Sequence, residues 1–189
     1  MRRLLVILGF AALALAQRSS EVPKESLAPY LPTPATIVDQ MLQVGGLKPG
    51  ETMFDLGSGD GRIVIAAAKK YKAKAIGVEL DDALAASSEQ KIAEAGLSSV
   101  EPEGASRVGT ARIIHGDLMK QDYSSADLVT VYLWPDANKK VAQLLDIQLK
   151  KGARVVSHDF AMGNWTPTKT ITIADDGTGR SHELFLYIR

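Results

Sequence analysis

Between Thr52 and Ser157 the chain alternates short apolar or β-branched runs with runs of helical period, and that alternation admits few folds. Strand-like segments fall at Thr52–Leu56, Ala73–Val78, Thr110–Ile114, Asp127–Leu133 and Ala153–Ser157. Helical spacing is carried by Ile37, Val38, Met41, Leu42 and Val44, then by Arg62–Tyr71, Asp81–Ala95 and Asp136–Leu149. Strand and helix in turn argue for a parallel sheet with helices on both faces. The last two strand-like runs, Lys169–Ala174 and His182–Ile188, have only a turn-rich segment at Asp175-Asp176-Gly177 between them. They read as an antiparallel hairpin closing one edge of the sheet.

A chain of 189 residues fits one domain, and 46% hydrophobic residues suffice for a full core. Basic and acidic residues balance at 22 each, without the basic excess that a nucleic-acid binder usually carries. With no cysteine, thiolate metal sites, disulfides and cysteine catalysis are excluded. Residues 1–16 read as a signal peptide: Met1-Arg2-Arg3 is basic, Leu4–Leu13 apolar, and Ala14-Leu15-Ala16 a small-residue cleavage site. That reading implies export, with an inner-membrane anchor or a cytoplasmic location as the alternatives. Residues 17–32 form a proline-rich extended arm, and 33–189 a single domain. Thr33 is placed to cap the first helix, with Pro34 at its first position.

The most informative stretch is Asp55-Leu56-Gly57-Ser58-Gly59-Asp60-Gly61-Arg62, between the first strand and the following helix. Ligands of open α/β sheets bind at the carboxyl ends of strands. Glycines there let the chain turn and let a ligand approach the backbone. Free amides at the helix start can hold a carboxylate. The dinucleotide fingerprint G-x-G-x-x-G fails at its third position, which is Arg62. Glu79 closes the second strand, where a carboxylate can accept from both hydroxyls of a ribose.

D-L-G-S-G-D-G-R followed by G-V-E-L, with His115-Gly116-Asp117 after the third strand, resembles the class I (seven-strand) S-adenosylmethionine-dependent methyltransferases. Pro29–Pro34, the D-L-G-S-G-D-G-R-I-V-I string and R-V-V-S-H-D-F resemble, more narrowly, a lysine-methyltransferase subgroup acting on mitochondrial membrane proteins. The resemblance implies a Rossmann-like, doubly wound seven-strand sheet. It implies S-adenosylmethionine as cofactor and a methyl acceptor that is a protein, an amine such as lysine, with no nucleic acid. Peripheral association with a membrane stays open. Among residues, it implies that Asp55 orders the loop and contacts the methionine amino group. Gly57, Ser58, Gly59 and Gly61 form the loop under the methionine, Glu79 binds the ribose, Leu80 or Asp81 flanks the adenine, and Asp117 and Leu118 meet its amino group and ring. Tyr30 and Thr33 match the arm folded over the cofactor. Asp60 and Arg62 read equally well as a helix-start acid and a surface base.

For the chemistry, Tyr132 and Trp134 follow the fourth strand and can form an aromatic wall for an alkylammonium group. No N-P-P-Y or D-P-P-Y string stands there, which argues against base or glutamine amino groups. His158 is a candidate general base with Asp159 as its orienter. His115, His158 and His182 are widely separated and show no metal-ligand spacing. Trp165 either lines the entrance or anchors its loop. A small-molecule methyltransferase and a non-catalytic cofactor- or nucleoside-binding domain remain alternatives, and a nicotinamide-dependent oxidoreductase is disfavoured by Arg62.

Overall fold

A computed structural model describes residues 30–100 and 109–189. The expected signal peptide, most of the arm and part of the polar loop after the third helix lie outside the described residues. Among the described residues no helix is long and apolar enough to cross a membrane.

The elements run α1 (Ala35–Val44), β1 (Thr52–Leu56), α2 (Arg62–Tyr71), β2 (Lys74–Glu79), α3 (Asp82–Glu94), β3 (Thr110–His115), a 3-10 turn (Leu118–Lys120), β4 (Leu128–Val131), α4 (Pro135–Gln148), β5 (Arg154–His158), β6 (Lys169–Ile173) and β7 (His182–Ile188). One seven-stranded sheet has the order β3-β2-β1-β4-β5-β7-β6. β1 to β5 are mutually parallel, and β7 is antiparallel to both β5 and β6. The expected hairpin therefore forms with its second strand inside, so β6 is the edge.

Alternation along each strand builds two cores. Met53, Leu128, Val156 and Leu184 face α1, α2 and α3, whereas Phe54, Val129, Val155 and Tyr187 face α4. Ile37, Val38, Met41 and Leu42 give α1 one fully buried stripe, and Val141, Ala142 and Leu145 do the same for α4. Burying such stripes supplies most of a short helix's stability.

Two local expectations are corrected. Pro34, not Thr33, is the N-cap of α1, and no side chain caps that helix. Thr33 is instead buried, its hydroxyl 3.5 Å from His158 Nδ1, a contact made 125 residues away. β4 ends at Val131, where its pairing with Ser157 of β5 ends. Tyr132, Leu133 and Trp134 thereby leave the sheet and lead into α4 with Pro135 at its start.

Candidate active site

The chain winds outward from β1 through β2 to β3, then returns to place β4 on the other side of β1. The carboxyl ends of β1 and β4 form the switch point at which open α/β sheets bind ligands. The glycine loop after β1 and the Tyr132–Trp134 segment after β4 meet there: a Cβ on Gly57 would lie 3.0 Å from Leu133 Cδ2.

Asp55 is 3% exposed, on β1 between Gly77 and Thr130. Its Oδ1 accepts from the Thr130 hydroxyl at 2.7 Å. Burial pushes its carboxyl up to about 7, against that hydrogen bond, and the charges of Glu79 and Asp60 add to the rise. Thr130 had no local signal; only sheet register sets it beside the acid.

Gly59 has φ +54, and a Cβ there would lie 2.6 Å from Tyr30 Cε2. The Tyr30 ring thus lies against the loop at Gly59, while staying half exposed. Behind the loop, Ser88 Oγ donates to Gly59 O at 2.6 Å. The Ser58 side chain turns to the sheet: a Cβ on Gly77 would meet its Oγ at 2.5 Å, and that buried oxygen has no hydrogen-bond partner.

The expectation of free loop amides is corrected. Gly57 N and Ser58 N donate to Val78 O at 2.9 and 3.0 Å, and Gly61 N donates to Ser58 O at 2.9 Å. Gly59 N donates to Glu79 Oε2 at 2.7 Å, while Glu79 Oε1 accepts from Leu80 N and Asp81 N at 2.8 and 2.9 Å. A pyrophosphate needs such amides. Here they are spent on the protein, and two buried acids, Asp55 and Glu79, line the loop. The surroundings favour a cationic ligand over an anionic one.

Asp60 and Arg62 are structural. Arg62 Nε and Nη2 donate to the two Asp60 oxygens at 2.9 Å, and Lys91 Nζ donates to Oδ2 at 2.9 Å. Partial burial raises the Asp60 carboxyl, but these hydrogen bonds outweigh it and hold the group below the usual range. Arg62 Nη1 also donates to Thr33 O at 2.8 Å, which ties the arm to the loop.

Asp117 caps the 3-10 turn through Met119 N at 2.8 Å. Leu118 is buried among Phe54, Val78 and Tyr123, and Leu118 O accepts from the Tyr123 hydroxyl at 2.7 Å. Both therefore have structural roles as well as the ligand roles the resemblance implies.

Beyond β4 the aromatics stack in a tier. Trp134, 56% exposed, parallels Phe160 at 6.4 Å. Phe160 parallels Tyr132 at 6.4 Å, and Tyr132 lies 3.9 Å from the His158 ring. No local signal assigns Phe160 a role, because its ring partners follow a different strand. Burial raises the Tyr132 hydroxyl, and Asp159 adds to the rise.

His158 is 0% exposed, with Nδ1 facing Thr33 and Nε2 facing His182 Nδ1 at 2.9 Å. Burial pushes its imidazole below the ordinary range, so the ring is neutral. Both nitrogens are engaged, which leaves none to take a proton directly from an acceptor, contrary to the general-base expectation. Asp159 Oδ2 lies 3.4 Å from His158 Nε2 and nearer, at 3.1 Å, to His182 Nδ1. His182 Nε2 in turn lies 3.2 Å from Asp176 Oδ2. Trp165 anchors its loop: Nε1 donates to Asp146 at 3.1 Å and the Arg189 guanidinium covers its ring.

The match to known proteins agrees with this geometry. Residues 55–169 match the family described as the ANTKMT methyltransferase domain. A protein-lysine N-methyltransferase of Saccharolobus islandicus (strain REY15A) is 37% identical over 85% of this chain and 92% of its own. The adenine nucleotide translocase lysine N-methyltransferase of Mus musculus is 32% identical over 89% of this chain and 68% of its own. A solved RNA methyltransferase from Salinibacter ruber, in complex with S-adenosyl-L-homocysteine, superposes with a TM-score of 0.72 at 37% identity, covering 84% of this chain and 93% of that one. The matched segment opens on the buried acid before the glycine loop and ends on the first residue of β6, so it contains the switch point and both of its flanking loops. The chain belongs to the ANTKMT methyltransferase-domain family and is an S-adenosylmethionine-dependent methyltransferase.

Proposed function

We propose that the methyl acceptor is a lysine side chain of a protein. The observation that carries this reading is the aromatic tier of Tyr132, Phe160 and Trp134 at the carboxyl ends of β4 and β5. Stacked π-faces attract an alkylammonium group and cover its methylenes. The lysine specificity given in the names of the Saccharolobus and mouse relatives supports it.

The residues fit the cofactor at three points. The side-chain-free loop at Gly57–Gly61 offers a backbone surface, Asp55 offers a buried acid for an ammonium group, and Glu79 stands at the end of β2 for ribose hydroxyls. By the resemblance, Leu80 or Asp81, Asp117 and Leu118 would hold the adenine. Tyr30 and Thr33 close the arm over the loop. When bound, S-adenosylmethionine supplies an electrophilic methyl group on a sulfonium.

An amine attacks only with its lone pair free, and a free lysine is protonated up to about 10.4. Desolvation beside Tyr132 favours the neutral amine and works against the attraction of the π-faces for the ammonium. The Tyr132 hydroxyl lies 3.4 Å from Asp159 Oδ2 and stays protonated. Donating to that carboxylate, its oxygen retains lone pairs that can accept an amine N–H and turn the nitrogen toward the methyl group. Alignment supplies most of the acceleration of an in-line displacement.

The Salinibacter neighbour is described as an RNA methyltransferase, which makes RNA the second acceptor to test. The balanced charge of 22 basic and 22 acidic residues disfavours it. The experiment offers methyl-labelled cofactor with a host protein extract, total RNA and free alkylamines, then locates the label by mass spectrometry. Trimethyl- or monomethyl-lysine in protein, lost in Trp134→Ala and reduced in Tyr132→Phe, is expected. Label confined to RNA or to small amines overturns the assignment.

A further inference from the structure

We propose that His158, Asp159 and His182 form a binding site for one divalent first-row transition ion at the junction of β5 and β7. Three donor atoms converge there. His158 Nε2 lies 2.9 Å from His182 Nδ1, His182 Nδ1 lies 3.1 Å from Asp159 Oδ2, and His158 Nε2 lies 3.4 Å from the same oxygen. Edges of that length are those of three ligands each ~2.0–2.1 Å from one ion.

With both rings neutral, protons alone do not fill every edge of the cluster; an imidazolium at His182 is the ion-free alternative that the metal test separates. The outer nitrogen of each ring is turned to a protein oxygen: His182 Nε2 to Asp176 Oδ2 at 3.2 Å, His158 Nδ1 to Thr33 Oγ1 at 3.5 Å. Asp176 Oδ1 accepts from Thr178 N and Oγ1 at 2.8 and 2.6 Å, which turns Oδ2 to His182 Nε2, and a carboxylate oxygen there accepts that ring's proton. His182 Nδ1 then presents a lone pair to a carboxylate oxygen. A proton on His158 Nε2 can fill the edge between the two rings, but it leaves the edge between His182 and Asp159 repulsive. A cation between the three satisfies every lone pair at once. A ligating histidine whose far nitrogen is held by a carboxylate is the usual outer shell of a metal site.

The backbone is bent to the same end. Asp159 has φ +57, the left-handed region that non-glycine residues avoid. That turn brings its carboxylate back over both rings. Oδ1 is held by Glu183 N at 3.0 Å, which leaves Oδ2 on the ring nitrogens with the Tyr132 hydroxyl at 3.4 Å. Arg180, whose charge acts on both Tyr132 and His158, brings one opposing positive charge, against the two carboxylates of Asp159 and Asp176. Two imidazoles and one carboxylate select Zn²⁺, Fe²⁺ or a neighbour over Mg²⁺ and Ca²⁺, which take oxygen. Both histidines are buried, whereas the Asp159 side chain is 22% exposed and marks the open side of the triangle. The ion would pin β5 to β7 and, through Thr33 and Tyr132, fix the arm and the acceptor wall.

The test uses the full chain without a histidine tag. Metal is counted by elemental mass spectrometry on the protein as purified. The protein is then stripped with chelator and titrated with Co²⁺. Expected are one ion per chain, a visible d–d absorption on adding Co²⁺ that Zn²⁺ displaces, and a melting temperature that rises with Zn²⁺. His182→Gln abolishes the d–d band, Asp176→Asn weakens Co²⁺ about 10- to 100-fold, and His115→Gln, remote from the cluster, leaves it unchanged. Wild-type protein that gives neither a d–d band nor a Zn²⁺-dependent melting shift overturns the proposal whether or not the variants fold. A band that survives His182→Gln overturns the ligand assignment.

Discussion

Replacing Asp55 by Asn should raise the stability of the ligand-free protein at neutral pH and flatten the pH dependence of cofactor binding. Asp55 is buried, and its carboxyl is pushed up from 3.8 to about 7. In the unfolded chain the group gives up its proton near its ordinary value, so between that value and about 7 the folded state binds more protons than the unfolded one. Stability therefore falls as pH rises through this window, and the loss is complete above it. At 1.36 kcal/mol per pH unit the full effect is about 4 kcal/mol, of which ~2–3 kcal/mol falls between about pH 5 and pH 8. Asn cannot ionise and keeps an oxygen for the Thr130 hydroxyl, so its stability should lack this slope. Urea unfolding of both proteins at about pH 5 and about pH 8 reads the difference directly. Cofactor binding should show the same group from the other side. A ligand ammonium beside Asp55 favours the ionised acid, so wild-type affinity for S-adenosylhomocysteine should rise as pH approaches 7 and level off above, with proton release. Calorimetry in two buffers of different ionisation enthalpy measures that release. Parallel stability profiles for wild type and Asp55→Asn, with no proton release on binding, would refute the reasoning.

Gly59→Ala combines a left-handed φ with a Cβ placed on the Tyr30 ring; the expected cost is about 1–2 kcal/mol of stability together with a displaced Tyr30, read by thermal unfolding and by cofactor titration. Arg62→Ala removes both the Asp60 pair and the bond to Thr33 O; it should loosen the arm, visible as faster proteolysis around residues 30–34, and weaken the cofactor more than it lowers the melting temperature. Leu128→Ala empties a fully buried position beneath α1 and should cost about 2–5 kcal/mol in denaturant unfolding, with little change in cofactor affinity per folded molecule. If residues 1–16 act as a signal peptide, amino-terminal sequencing of the protein from its native host should begin at Gln17; an intact Met1 would remove that assignment.

Sequence by itself determined the elements and the position of the glycine loop. Periods of two and of 3.6 residues are local, so β1, α2 and β7 run as their patterns predict, and Asp55, Gly57–Gly61 and Glu79 fall at strand ends because strand and motif share the same few residues. Tertiary structure decided what pairing across the sheet controls. Thr130 beside Asp55 and Phe160 in the aromatic tier depend on which strands lie together. So does the meeting of His158 with His182, 24 residues apart, which only the insertion of β7 between β5 and β6 creates. It also decided how hydrogen bonds are spent: the loop amides go to Val78 and Glu79, and the Thr33 hydroxyl goes to a distant histidine rather than to the helix beside it. A donor's residue type shows that it must find an acceptor, but which acceptor it finds depends on chain segments that no local pattern brings together.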